Sequence, residues 1–202
     1  MEQLRIQIAG DLHDDVGARL TKVAMLTELM DRETAPTDKA KGRLQKISAA
    51  TREVIQAMDE IVWTINPKND TLDHLANYIF QYAQDYFQPT GVRCRLDVPA
   101  QLPDWPVTTE ERHNLFMAVK ESLNNILKHA AATEARVGLA VDHTGLTILV
   151  ADNGRGFATD QPHKSGDGLS NMKQRLERIG GRLTLESQPG AGTRIKMELD
   201  GR

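Results

Sequence analysis

Cysteine is nearly absent from this chain: Cys94 is the single one among 202 residues. No internal disulfide can form, and a reducing compartment, the cytoplasm, is the natural expectation. A basic excess is missing too. Lys and Arg number 25 against 28 Asp and Glu, for a formal net charge of −3, so direct nucleic-acid binding is not expected. The six histidines, at positions 13, 74, 113, 129, 143 and 163, show no pairing at metal-ligand spacing, which argues against a zinc site. No apolar run approaches the ~20 residues that a membrane-spanning helix requires. The opening MEQLRIQIAGDLHDD carries charge too early for a secretory signal. It enters helical pattern at once, as a fragment of a longer chain would, so membrane attachment is expected only through sequence outside this one.

What is present is the composition of an ordinary globular protein, 40% apolar and 26% charged. Residues 1–34 read as a helix with Ala9, Leu12, Val16, Leu20, Val23 and Met30 at apolar positions, stopped by the breaker run at 34–38. A second helix carries Leu44, Ile47, Thr51, Val54, Met58, Ile61 and Ile65 at alternating spacings of three and four, a bundle or coiled-coil pattern. Two such helices joined by a short loop form an antiparallel hairpin whose apolar stripe stays wet unless a second copy covers it. The expectation is a homodimer with a four-helix bundle, built from residues 1–66.

Asn66-Pro67-Lys68-Asn69-Asp70 breaks that helix, and residues 67–90 read as a connecting helix. From 91 to 202 the pattern becomes α+β. Val92–Val98 alternates as a strand. Thr108 and Glu111 form a capping box for a helix running to about Ala131. Strands follow at Ala135–Val141 and Leu146–Ala151, a helix at Leu169–Ile179, and a closing hairpin of Arg182–Ser187 and Thr193–Leu199. The fold class is thus α plus α+β, with helices on one face of a mainly antiparallel sheet.

Two constellations carry chemistry. In GDLHDDVG, residues 10–17, Gly10 lies three residues before His13 and Gly17 four after, so both share its helical face and leave it bare. Two glycines inside a helix cost roughly 1 kcal/mol each relative to alanine. Asp14 is placed to accept the Nδ1 proton and leave Nε2 as a nucleophile. On this helix alone, a solvated histidine fits as well as a reactive one.

The second constellation starts on the helix from Thr108. Projected at ~100° per residue, Glu121, Asn124, Asn125 and Lys128 share one arc, opposite the sheet-facing Leu115, Val119, Leu123, Ile126 and Ala130. An asparagine carbonyl is a hard ligand suited to Mg²⁺, and lysine supplies a point charge for phosphate. By itself the arc also fits a plain solvated face. Downstream, a strand ends in Asp152, whose carboxylate can accept from an exocyclic amine such as that of adenine. Gly154 and Gly156 follow and permit close backbone approach. A second cluster, Gly166 and Gly168, opens the helix at Leu169 as a phosphate cradle.

Together these residues resemble the core of the sensor histidine kinases. DLHDD at 11–15 resembles the H-box of the subfamily whose response regulators carry LuxR-type outputs. ESLNNILKHA at 121–130 matches the N-box, DNGRGF at 152–157 and GDGL at 166–169 the two glycine boxes, and Gly192-Thr193 the terminal motif of a Bergerat-type α/β sandwich. The resemblance implies ATP and Mg²⁺ as cofactors, His13 as phosphoacceptor and Asp14 as its polarising acid. It implies Asn125 as the Mg²⁺ ligand, Lys128 and His129 on phosphates, Asp152 on the adenine amino group, and Glu121 orienting Mg²⁺-bound water or the transferring group. Asn124, Gly154, Gly156, Gly166, Gly168, Leu169 and Thr193 complete the expected nucleotide site. The stretch HDDVGARLTKVAMLTELM with WTINPKNDTLDHL further resembles kinases with a β-propeller sensor. One position departs: where many members have H-D-x-x-x-Q, this chain has Ala18. Kinase action is expected to survive that change, whereas strong phosphatase action on the regulator is put in doubt. A serine kinase of the anti-sigma type shares the nucleotide fold but has no need of the hairpin, and a degenerate scaffold has no need of complete N- and G-boxes.

Overall fold

The structure, a computed structural model, describes residues 70–158 and 168–201 continuously, together with scattered positions between Arg19 and Trp63. The chain divides into two compact units, Met1–Asn66 and Pro67–Arg202. His13, Asp14, Gly10, Gly17, Ala18, Gly166 and the proposed break at 66–69 lie outside the described residues.

In the first unit, Arg19, Lys22, Val23, Met25 and Leu26 are helical, as are described positions from Gly42 to Trp63. The Arg19 guanidinium donates to the Glu53 carbonyl at 3.0 Å, which sets the two stretches side by side. Ala50, Val54 and Ala57 are buried, a four-then-three spacing that makes one stripe. It shares Val54 with the expected seam. Of the expected positions that are described, Val54 is buried, Ile47 is partly exposed and Thr51 faces solvent, its hydroxyl bonded back to the Ile47 carbonyl at 2.9 Å.

The second unit opens with helix α1, Leu72–Phe87. Thr71 caps it, accepting from the His74 backbone N–H at 3.4 Å, and Leu72, Leu75, Ala76, Ile79, Phe80, Ala83 and Phe87 form its buried face. A turn at Gln88–Thr90 and Gly91, at φ 77°, end it. Strand β1 is Arg93–Asp97, and α2 is Thr109–Asn125 with the expected Thr108–Glu111 capping box fully formed. Then come β2 (Glu134–Asp142), β3 (Gly145–Asp152), α3 (Gly168–Arg178), β4 (Arg182–Ser187) and β5 (Thr193–Asp200).

The five strands lie in the order β1-β2-β3-β5-β4. Only the β1–β2 pair is parallel, because the chain crosses between them through α2; all other pairs are antiparallel. Val137, Ile148 and Met197 are fully buried on one face, under the helices, while Arg93, Arg95, Arg136 and Arg194 alternate to the other.

The segment 67–90, read from sequence as a connector, is a layer of this unit. Tyr78 and Tyr82 of α1 pack on Phe116 of α2 with ring centroids 4.8 and 5.0 Å apart. Leu72 and Val107 exchange backbone bonds with Trp105 and Asp70 at 3.0 and 3.2 Å, pinning the start of α1 to the loop before α2. Arg112, fully buried, pairs with Asp70. An apolar helix face of this size has to be covered, and α2 together with strands β1 and β2 covers it.

Candidate nucleotide-binding site

A cavity of about 460 Å³ lies between the C-terminal part of α2 and the sheet. Glu121, Asn124, Asn125, Lys128, His129, Asp152, Gly156, Gly168, Leu169 and Thr193 all line it, converging from four separate segments of sequence. Gly154 sits beneath the lining.

The end of α2 departs from the ideal helix used for projection. Ile126–Ala130 forms a π turn, closed by Ala131 in the left-handed region at φ 51°. A π turn carries more residues than an α turn and shifts their angular positions. Ile126 and Ala130, expected opposite Lys128, therefore border the same cavity as Lys128 and His129. The two faces that projection separates meet here, the polar one at the rim and the apolar one as floor, alongside Val150, Leu185 and Ile195 of the sheet.

The Asp152 turn is tied down on every side. The Asn153 side chain accepts from the Thr133 and Glu134 backbone N–H groups at 3.0 and 2.9 Å, fastening the end of β3 to the start of β2. The Arg155 N–H donates to the Ala130 carbonyl at 2.8 Å, joining this turn to the π turn. Gly154 is demanded by that junction: a Cβ there would stand 2.3 Å from the Ala130 carbonyl oxygen. The Asp152 carboxylate accepts from the Gly154 N–H at 2.8 Å. Burial nevertheless pushes its carboxyl above the ordinary carboxylate range, against the pull of the Gly154 and Thr193 backbone N–H groups. A part-desolvated carboxylate at the end of an apolar slot suits a neutral N–H donor on a flat ring.

At the opposite end, the Glu121 carboxylate lies against Gly168, the first residue of α3, where the helix dipole favours negative charge. The Asn124 amide donates to it at 3.4 Å and accepts from the Tyr86 hydroxyl of α1, also at 3.4 Å. Burial, then the nearby Glu121 charge, pushes the Tyr86 phenol up. Lys128 and His129 are exposed on the rim.

Ser187 links the remaining walls. Its hydroxyl accepts from the Phe157 N–H at 2.9 Å, donates to the Gly192 carbonyl at 3.0 Å and lies 3.0 Å from the Thr193 hydroxyl. No local sequence signal marks Ser187 or the floor residues Val150, Leu185 and Ile195 as part of the site. Only the pairing of β3 with β5 brings Val150 opposite Ile195 and Asp152 opposite Thr193.

A mixed sheet under three helices, with a strand-end carboxylate and the glycines 156 and 168 on one cavity, is an α/β sandwich with a candidate nucleotide site. Residues 110–202 match the family of histidine kinase-, DNA gyrase B- and HSP90-like ATPases, and residues 5–70 match a histidine kinase family. The two matches together span most of the chain, which has the two-part make-up of a histidine kinase core. The chain is 26% identical over 196 residues to sensor histidine kinase LiaS of Bacillus subtilis, covering 96% of this chain and 53% of that protein. It is 27% identical over 202 residues to the signal transduction histidine-protein kinase/phosphatase UhpB of Salmonella typhimurium, covering 100% of this chain and 39% of that protein. The chain thus spans about half or less of these relatives' length. In fold it resembles the histidine kinase domain of the Erythrobacter litoralis EL346 blue-light activated kinase, with a TM-score of 0.58 at 16% identity over 91% of this chain and 94% of that one. Among the described residues, no helix is long and apolar enough to cross a membrane.

Proposed function

We propose that this core transfers the γ-phosphoryl group of ATP to His13 and then to an aspartate of a response regulator. The reading rests on one observation: four separated sequence segments bring Glu121, Asn125, Lys128, Asp152, Gly168 and Thr193 to a single cavity with an apolar floor. The floor suits a purine ring, Asp152 a donor on its edge, and the exposed Lys128 and His129 a phosphate chain.

In the first step His13 Nε2 attacks the γ-phosphorus in line, the bond to the bridging oxygen breaks, and ADP leaves. Asp14 holds the Nδ1 proton and stabilises the charge that develops on the ring. Asn125 offers a carbonyl oxygen to Mg²⁺, which takes few protein ligands and would neutralise phosphate charge. Glu121 orients groups at the phosphate end. In the second step the phosphoryl group passes from nitrogen to the regulator's carboxylate. The regulator is of the class with a LuxR-type DNA-binding output, so the kinase touches no nucleic acid itself.

The working unit is a homodimer, supported by Met25 at 61% exposed and by the partly exposed Ile47, apolar surface that a second hairpin would cover. The core acts on the cytoplasmic side, attached to the membrane through sequence beyond this chain. Ala18 leaves the phosphatase direction without its water-placing glutamine.

Incubation with γ-labelled ATP and Mg²⁺ tests the reading. The expected label is acid-labile and base-stable, and absent from His13→Gln, which still binds ATP. Acid-stable label, or label persisting on His13→Gln, overturns it.

A further inference from the structure

We infer that Tyr86 is a positioning residue for phosphoryl transfer: its hydroxyl, acting through the Asn124 amide, holds the Glu121 carboxylate in place at the phosphate end of the cavity. This deepens the reading of the site as that of a phosphotransferase and rests on it.

The inference begins with which group can donate. An ionised carboxylate only accepts, so the Asn124 amide turns its NH₂ toward Glu121 Oε2, 3.4 Å away. Its carbonyl oxygen then faces the Tyr86 hydroxyl, also at 3.4 Å, and the phenol has to be the donor. The relay thus has a single polarity, from phenol to amide to carboxylate. Reversing the amide would set its carbonyl oxygen against the carboxylate. Burial, and then the Glu121 charge, pushes the Tyr86 phenol up, so the hydroxyl keeps the proton that the relay needs.

Each member is in place for a different reason. Glu121 and Asn124 are three residues apart on α2 and share a helical face without help. Tyr86 comes from α1, 38 positions earlier in the chain than Asn124. Packing fixes its ring: it stacks on Tyr82 with centroids 5.8 Å apart and meets Phe87 edge to face at 5.5 Å. Tyr82 in turn meets Phe116 of α2 edge to face at 5.0 Å. An aromatic stack seated on α2 therefore presents the hydroxyl to Asn124.

The two oxygens of Glu121 have separate surroundings. Oε2 takes the Asn124 amide, while Oε1 lies against Gly168 at the start of α3. A carboxylate that turns away from Asn124 also turns at Gly168. Glu121 and Asn124 line the cavity, and Tyr86 stands behind the wall they form. Loss of the hydroxyl leaves the cavity surface as it is and loosens the group nearest the phosphates, so the rate should respond and the affinity for ATP should not.

Tyr86→Phe keeps the ring stack and removes only the hydroxyl. Wild type, Tyr86→Phe, Asn124→Ala and the double variant are compared on the full chain by single-turnover labelling with γ-labelled ATP and Mg²⁺, and by ATP titration. Tyr86→Phe is expected to lower the rate at saturating ATP about fivefold, the equivalent of one net hydrogen bond, with affinity within about twofold of wild type. On Asn124→Ala the same change is expected to add nothing, because Tyr86 acts through Asn124. A wild-type rate in Tyr86→Phe overturns the inference. So does a loss that persists in full on Asn124→Ala, or one that shows as weaker ATP binding with the saturated rate intact, since either marks a packing role alone. Should Tyr86→Phe not fold, Asn124→Ala decides: a lower saturated rate supports the relay, and a wild-type rate there overturns it. Wild type that takes no acid-labile label is a different failure: it removes the phosphotransfer reading, and this inference with it.

Discussion

Gly168 presses against the carboxylate of Glu121: a Cβ on Gly168 would stand 2.3 Å from Oε1. The obstructing atom is the far end of a flexible side chain, so Gly168→Ala is accommodated by swinging Glu121 aside. Thermal stability should change by less than about 1 kcal/mol, as for a surface repacking. Autophosphorylation should suffer more. With Glu121 displaced from the start of α3 and from Asn124, the rate under saturating ATP is expected to fall at least about tenfold, the usual consequence of misplacing a group near reacting atoms. Single-turnover labelling beside a melting curve separates the two effects.

Gly154 offers the opposite case. Its missing Cβ would stand 2.3 Å from the Ala130 carbonyl oxygen and 2.8 Å from the Ala130 Cβ, both fixed by the π turn. Neither can swing away. Gly154→Ala should therefore cost about 1–3 kcal/mol, the range for overpacking, and weaken ATP binding as well, because the Asp152 carboxylate loses its geometry with the Gly154 N–H. Denaturant unfolding and ATP-analogue titration give the two readings.

Asp70 and Arg112 tie the first residues of the second unit to α2. The Arg112 side chain is 0% exposed and that of Asp70 is 41% exposed. Asp70→Ala leaves the buried guanidinium without this carboxylate, which should cost about 2–3 kcal/mol, below the 3–5 of a fully buried pair because Asp70 is partly hydrated. Urea unfolding of wild type and Asp70→Ala measures it, and an unchanged midpoint would show that the pair contributes little.

Much of this architecture is legible in the sequence because its signals are local. The Thr108–Glu111 box, the turn glycines and the period-2 strands each need only neighbours along the chain, and from β1 onward the strands and helices fall within a residue or two of their expected bounds. The cavity floor is not local. Val150, Leu185 and Ile195 look like any core residues, and only strand order brings them under α2. The π turn also escapes a reading at fixed angular pitch, since nothing in ILKHA announces five residues where four are expected. Helix α1 escapes a local reading for a related reason. Its apolar stripe is plain, but Phe116 on α2, on which Tyr78 and Tyr82 pack, lies far along the sequence.

Asp152 links stability to function through pH. Burial raises its carboxyl above the ordinary 3.8, outweighing the Gly154 and Thr193 N–H groups that favour the charged form. A raised carboxyl contributes stability that is present below the unfolded-state value and is lost as pH rises through the folded value. At neutral pH the nucleotide-free protein therefore carries a charge it would be more stable without. Asp152→Asn keeps an acceptor oxygen for the Gly154 N–H but cannot ionise. Relative to wild type, its stability should rise as pH climbs from about 3.8, then level off once the wild-type carboxyl is fully charged. Its ATP affinity should drop about tenfold or more, because the charged acceptor for the purine amine is gone. Urea unfolding across a pH series gives the first curve and nucleotide titration the second. A stability difference constant at every pH would mean that Asp152 does not titrate across that window, and a variant that binds ATP as wild type does would move the purine edge away from Asp152. Gain of stability with loss of binding, in one substitution, is the behaviour of a group held in an unfavourable place for the ligand it meets there.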